Sequence, residues 1–194
     1  MNFLKRTYNW TLEKAQHKNA KWYLSLISFA ESSFFPIPPD ILLIPMALAS
    51  KANALFYAFI CTLFSVLGGI LGYVIGYFFY NSVGIYIVDF YNLESSFNIF
   101  ESYYKEFGIL IVLGAGITPF PYKFITIASG VFGLNIFLFI IFSIIGRGLR
   151  FYLIAILLYF FGEKIKLIID KYFNFLTIVF FILLVGSVFI IRFL

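Results

Sequence analysis

Charge is what this sequence has least of. Asp, Glu, Lys and Arg make up only 12% of its 194 residues, about half the ~25% that a soluble domain uses to cover its surface. That excludes the ordinary soluble classes, and a hydrophobic share of 62% with mean hydropathy of +0.99 points to lipid instead. Cysteine is nearly absent: Cys61 alone cannot form an intrachain disulfide. Histidine is also single, and His17 reads as a solvated surface residue. The chain has no H-E-x-x-H, no G-x-S-x-G and no P-loop. No enzyme, metal site or cofactor is expected from such a sequence.

Aromatic residues are abundant, with 28 Phe. AT-rich codons favour Phe, Ile, Tyr, Asn and Lys together, so the excess carries no functional weight. The net charge of +5 does not mark a nucleic-acid binder. Lys5, Arg6, Lys14, Lys18 and Lys21 all precede the first apolar run, as the positive-inside rule requires of a cytoplasmic N-terminus. No cleavable signal peptide is expected, because that run is far longer than a signal core and lacks a small-residue cleavage site.

Residues 3–20 read as a basic helix, either lying on anionic lipid or simply solvated. A membrane domain follows over 22–162. Its parts are an apolar segment (22–50) interrupted by Pro36, Pro38, Pro39 and Pro45, and a clean span (53–80). A more polar region (81–106) comes next, then a second broken segment (107–133) interrupted by Pro119 and Pro121, and a second span (135–161). Tyr172–Ile191 is a third span. In the polar region Phe97, Phe100, Tyr104 and Phe107 form a stripe opposite Glu94, Asn98, Glu101 and Lys105, the pattern of an interfacial helix.

The two broken segments align at a constant offset of 83, with Pro36-x-Pro38 over Pro119-x-Pro121 and Asp40 over Lys123. Paired Pro-interrupted segments point to the binding site of a repeat-built transporter. Each apolar piece is too short to cross a ~30 Å core alone, which favours re-entrant hairpins over kinked spans. Lys and Arg counts do not separate the two topologies, because Lys51 and Lys105 merely exchange sides. Hairpins would give two halves of opposite orientation.

Glu31, Asp40, Lys123, Arg147 and Arg150 lie deep in apolar sequence. A charge at the bilayer centre costs about 2.5–3.5 kcal/mol on insertion scales, so such residues face a partner or a wet cavity. Arg147 is central in its span, with Arg150 at i+3 on the same face. Lys123, Arg147 and Arg150 suit a phosphate head group; a structural ion pair of Arg147 with Glu31 or Asp40 is the other reading. Carboxylates withdrawn from water can carry protons, so Glu31 and Asp40 are candidates for proton coupling. Pseudo-symmetry would bring Asp40 and Lys123 together as a pair. Gly68, Gly72 and Gly76 form two G-x-x-x-G steps, a helix-packing face.

Several of these motifs stand in a familiar order. Glu31 with Pro36-x-Pro38-Pro39-Asp40 comes first, then Gly68-Gly69-x-x-Gly72. Pro119-x-Pro121 leads to Ala128-Ser129-Gly130, and Gly146-Arg147-Gly148-Leu149-Arg150-Phe151 closes the series. Together they resemble the DedA superfamily, the VTT-domain or SNARE-associated-Golgi-type membrane proteins, and the short YqaA-like branch in particular. The resemblance implies an all-α polytopic membrane protein with two re-entrant hairpins in inverted repeat. It also implies a flippase or scramblase for phospholipid or polyprenyl-phosphate head groups, proton-coupled in many bacterial members and sited in the inner membrane. Glu31 and Asp40 match the acidic pair of the family's first hairpin. Gly116 and Tyr122 stand where its second hairpin carries arginines. Membrane lipids and further copies of the chain are the expected partners, with no nucleic acid. The alternative function is a proton-coupled ion or small-solute transporter.

Overall fold

The computed structural model describes residues 19–35, 37–91, 94–118, 120–162 and 164. Every regular element among them is helical. In chain order these are α1 (Ala20–Ser33), α2 (Asp40–Ala49), a 3-10 turn (Lys51–Asn53) and α3 (Ala54–Phe79). A π turn (Tyr80–Gly84), α4 (Ile85–Phe90), α5 (Glu94–Ile117), α6 (Tyr122–Val131) and α7 (Ile136–Gly162) follow. The sequence segment before residue 19, the span Tyr172–Ile191, Pro36 and Pro119 lie outside the described residues.

Proline sets where the helices restart. Pro39 immediately precedes α2 and Pro121 immediately precedes α6. A proline has no N–H to donate and pushes the residue before it out of helical backbone. At a helix start the missing donor costs nothing, because the first N–H groups have no acceptor within the helix. At the other end of α6, Gly133 takes a positive φ of 62°, and the N–H groups of Phe132 and Leu134 turn back onto the Ala128 and Ser129 carbonyls at 2.9 Å. Asn135 then caps α7, its side-chain oxygen accepting from the N–H of Phe137 at 3.0 Å and of Leu138 at 3.2 Å.

The contacts show that the chain doubles back at both breaks. The Lys21 ammonium lies 5.1 Å from the Phe56 ring centroid, while Phe29 and Ser32 meet Gly68 and Gly72 further along. Thus α1 and α3 run side by side in one direction. For that, α2 must return between them, and Ala20 and Leu24 share one apolar cluster with Leu43, Met46, Ala47, Ala54 and Tyr57. The second half repeats the path. Tyr104 on α5 reaches Ser129 at 2.8 Å, and Gly116 comes against Gly146, so α5 and α7 are parallel with α6 returning between them.

The two halves run in opposite senses. Tyr73 donates to the Leu134 carbonyl at 2.6 Å, Ser65 meets Arg147, and Gly162 abuts Leu48 and Lys51. As α3 is followed towards its start, α7 is followed towards its end. The offset of 83 carries α2 onto 123–132 and α3 onto 137–162, each within one residue of the observed α6 and α7.

Small residues make this packing possible. A Cβ at Gly68 would land on the Phe29 carbonyl, at Gly76 on the Ile127 carbonyl and at Gly130 on the Tyr73 carbonyl. The glycine face of α3 therefore lies in the crevice between α1 and α6, with backbones in direct contact.

One boundary differs from expectation. The interfacial region (81–106) and the second hairpin (107–133) are not separate, because α5 runs unbroken through Phe107 and Gly108. Gly108 is a packing position: a Cβ there would come 3.0 Å from both Leu134 and Tyr104. One helical glycine costs only about 1 kcal/mol, too little to end a well-packed helix. The aromatic stripe divides accordingly. Phe97 and Tyr104 pack on Phe132 with centroids 5.2 and 5.1 Å away, while Phe100 and Phe107 stay exposed.

The outer surface is apolar. Phe59, Leu63 and Leu67 on α3 and Leu149, Leu153 and Leu157 on α7 are all exposed. Lys51–Gly84 and Ile136–Gly162 are long and apolar enough to cross a bilayer, and in the second only 28% of the apolar window is buried. A core helix of a soluble protein would be covered, and soluble monomers rarely expose apolar patches beyond a few hundred Å². These helices fit a membrane-associated protein.

Candidate functional site

Arg147 is the centre of a closed polar ring. It is 1% exposed, which without partners would be prohibitive for a cation. Its Nη2 donates to Glu31 Oε2 at 2.6 Å and its Nε to Ser65 Oγ at 2.6 Å. Ser32 donates to the same carboxylate oxygen at 3.1 Å and lies 2.6 Å from Ser65. Since Ser32 has one hydroxyl proton and gives it to Glu31, Ser65 is the donor between the two serines. The guanidinium carbon lies over two rings, 4.9 Å from the Tyr122 centroid and 4.7 Å from that of Phe151, within the range of cation–π attraction. Tyr122 is itself held by Ser143.

Arg150, one turn further along α7, joins the two hairpin tips. Its Nη2 pairs with Asp40 Oδ2, and its Nη1 donates to the Thr118 carbonyl at 2.5 Å. Asp40 opens α2 just after the first break, where its charge complements the helix N-terminus. Thr118 follows α5 at the second break, so its carbonyl has no helical donor. The first break is treated alike: the Ser32 carbonyl, freed at the end of α1, accepts from Thr126 Oγ1 of α6 at 2.9 Å. Asp40 Oδ1 and Arg150 Nε are buried and make no hydrogen bond among the described residues. Arg150 also lines a groove of about 370 Å³ with Ile117, Leu149, Leu153 and Ile154.

This arrangement can be set beside known proteins. An uncharacterized protein of Haemophilus influenzae is 39% identical over 157 residues, covering 81% of each chain. A Histophilus somni protein, "Uncharacterized protein HI0703 homolog", is 33% identical over 157 residues, covering 81% of this chain and 82% of its own. The chain belongs to their family. No family model matches it, and no solved structure matches it.

Four of the five deep charges in this family member come together in two pairs, Glu31–Arg147 and Asp40–Arg150. The symmetry-based pairing of Asp40 with Lys123 is not what forms. The carboxylate goes to Arg150, and among the described residues Lys123 makes no ion pair, lying 5.6 Å from the Phe124 ring. Offset symmetry relates positions across the axis, but the arginines of α7 have no basic counterpart on α3 and take both carboxylates. Gly116 and Tyr122 also find their reasons. A Cβ on Gly116 would lie 3.0 Å from Gly146 Cα, leaving no room for an arginine, and Tyr122 serves as a ring beneath Arg147.

Sequence reasoning passed over Ser32, Ser65, Thr126 and the Thr118 carbonyl. The available signal was hydroxyl spacing: Ser25, Ser28 and Ser32 recur on one face of α1, with Thr62 and Ser65 on α3. All five are buried, and hydroxyls concentrated on one face of an apolar helix mark a contact with another helix.

Proposed function

We propose that the chain is an integral membrane protein of the DedA pattern that moves lipids with phosphate head groups across the bilayer. On this reading α1–α2 and α5–α6 are re-entrant hairpins, α3 and α7 are spans, Tyr172–Ile191 adds a third span, and the halves form an inverted repeat. The observation that carries it is the placement of Arg150 between the two hairpin tips, holding Asp40 and the Thr118 carbonyl. Repeat-built transporters bind their substrates where broken helices meet, and irregular backbone inside a membrane is tolerated only against protein or a wet cavity. Arg150 and Lys123 serve the head group; Arg147 holds the halves together. The location is a bacterial inner membrane with a cytoplasmic N-terminus.

The test is translocation of a fluorescent phospholipid in proteoliposomes. Arg150→Ala should lower the rate at least about tenfold, equivalent to 1.4 kcal/mol of barrier, with the protein still monodisperse. An unchanged rate would sink the proposal. Topology has its own check: in a Cys61→Ala background, Ser96→Cys should react with an impermeant maleimide added to intact cells. Protection there would reject the re-entrant arrangement. The open Asp40 oxygen also fits a proton-coupled solute carrier, which solute-driven proton flux in vesicles showing no head-group movement would select.

A further inference from the structure

We infer that Arg150 and Asp40 form an exchange site, in which a lipid phosphate replaces the Asp40 carboxylate on the guanidinium and an alkyl chain lies in the adjoining groove. This rests on the membrane reading above and deepens it, naming the residue that receives the anion and the group the anion displaces.

The two arginines differ in access. Arg147 is enclosed: its side chain is 2% exposed, its Nε and Nη2 are held by Ser65 and Glu31, and its guanidinium carbon lies over the Tyr122 and Phe151 rings. An incoming anion could reach it only by dismantling the contact between the halves. Arg150 meets Asp40 through one nitrogen and one oxygen, as Arg147 meets Glu31, but its side chain is 14% exposed against 2% for Arg147. Its Nε and the second Asp40 oxygen are buried with no hydrogen bond among the described residues. A fork-to-fork pair would use two parallel hydrogen bonds, and here one of the two is not made. A phosphate brings more acceptor oxygens and can engage Nε and Nη2 together while Nη1 stays on Thr118.

The groove decides the source of that phosphate. Arg150 is its one charged lining residue, with Ile117, Leu149, Leu153 and Ile154 as the walls. It shares Leu149 and Leu153 as walls with a second apolar groove of about 460 Å³ along α7. Free phosphate gains nothing from such walls, whereas an alkyl chain is stabilised in proportion to the area it removes from water. An apolar trough with a cation among its described lining residues fits an anionic lipid. Two anions on one guanidinium repel, so the lipid phosphate and Asp40 compete for it.

Competition fixes the sign of the test. Binding of dioctanoyl phosphatidic acid to the detergent-solubilised full chain is measured by native mass spectrometry, with inorganic phosphate and dioctanoylglycerol as comparison probes. Asp40→Asn should bind the phosphatidic acid about tenfold more tightly than wild type, and Arg150→Gln should lose it; both comparison probes should bind at least tenfold more weakly. Weaker or unchanged binding in Asp40→Asn would overturn the exchange, as would equal binding of either comparison probe. A second measurement uses the unaltered protein, so that a misfolded variant does not shield the idea. Phosphatidic acid with a diazirine in its alkyl chain should cross-link to Ile117, Leu149, Leu153 or Ile154, and cross-links confined elsewhere would reject the groove. Binding that follows these rules without translocation would sink the transport reading alone. Translocation without them would sink the exchange site alone.

Discussion

Arg147 and Arg150 lie one turn apart on the same helix, and their surroundings divide a strut from an open site. Both are paired with a carboxylate from the first half of the chain. Around Arg147 two serines and two aromatic rings complete the shell; Arg150 helps to line a groove, and two polar atoms buried at its pair with Asp40 lack partners among the described residues. The difference teaches that charge and depth in an apolar sequence do not assign a role. A cation enclosed by the fold contributes to stability, while one beside a groove and with a buried Nε left over can accept a ligand.

The comparison is easiest to break at Arg147. Arg147→Ala leaves Glu31 buried without its cation, and removing one partner of a buried pair costs about 3–5 kcal/mol. Thermal unfolding in detergent should show a large drop or failure to fold, and a loss below about 1 kcal/mol would remove the strut from the argument. Gly76→Ala comes next: its Cβ would fall on the Ile127 carbonyl, so α3 and α6 must part, at about 1–3 kcal/mol for overpacking. Unchanged stability would show that this crevice is slack.

Arg150→Ala should cost less than Arg147→Ala, about 1–3 kcal/mol for hydrogen bonds to a charged group, and on the transport reading proposed above should lower lipid translocation at least about tenfold. If the two alanine variants lost equal stability, the division between them would fail. The smallest effect is expected at Gly148, whose Cβ would meet only Thr62 Cγ2 at 3.8 Å. Gly148→Ala should be neutral or stabilising by up to about 1 kcal/mol, the ordinary gain for a helical glycine. Gly146→Ala, two residues away, would press on the Leu113 carbonyl at 3.0 Å and should destabilise; equal melting temperatures would contradict that contrast.

Some of this was legible in the sequence, for identifiable reasons. Proline and charge are rare in apolar helices, so the breaks and the deep ionisable residues stood out at once, as did the offset relating Asp40 to Lys123. Pairing was not legible. Which carboxylate meets which arginine depends on how far α7 is rotated and shifted against α1 and α2, and the close contact of Gly116 with Gly146 helps to set that. The continuity of α5 was hidden too, because Gly108 resembles a helix breaker until Leu134 and Tyr104 are seen on either side. Ser65 escaped notice because a lone serine in a hydrophobic run carries no mark of the arginine it meets.

The distance along the chain between Glu31 and its partner has a consequence for how the protein is made. Arg147 is synthesised 116 residues after Glu31, and at ~5–20 residues per second that is about 6–23 s of translation. Throughout that interval the first hairpin has its carboxylates without their arginines, and the Ser32 carbonyl waits 94 residues for Thr126. A nascent chain that stalls before α7 therefore displays acidic groups, still without their cations, in an otherwise apolar segment, which a finished copy does not.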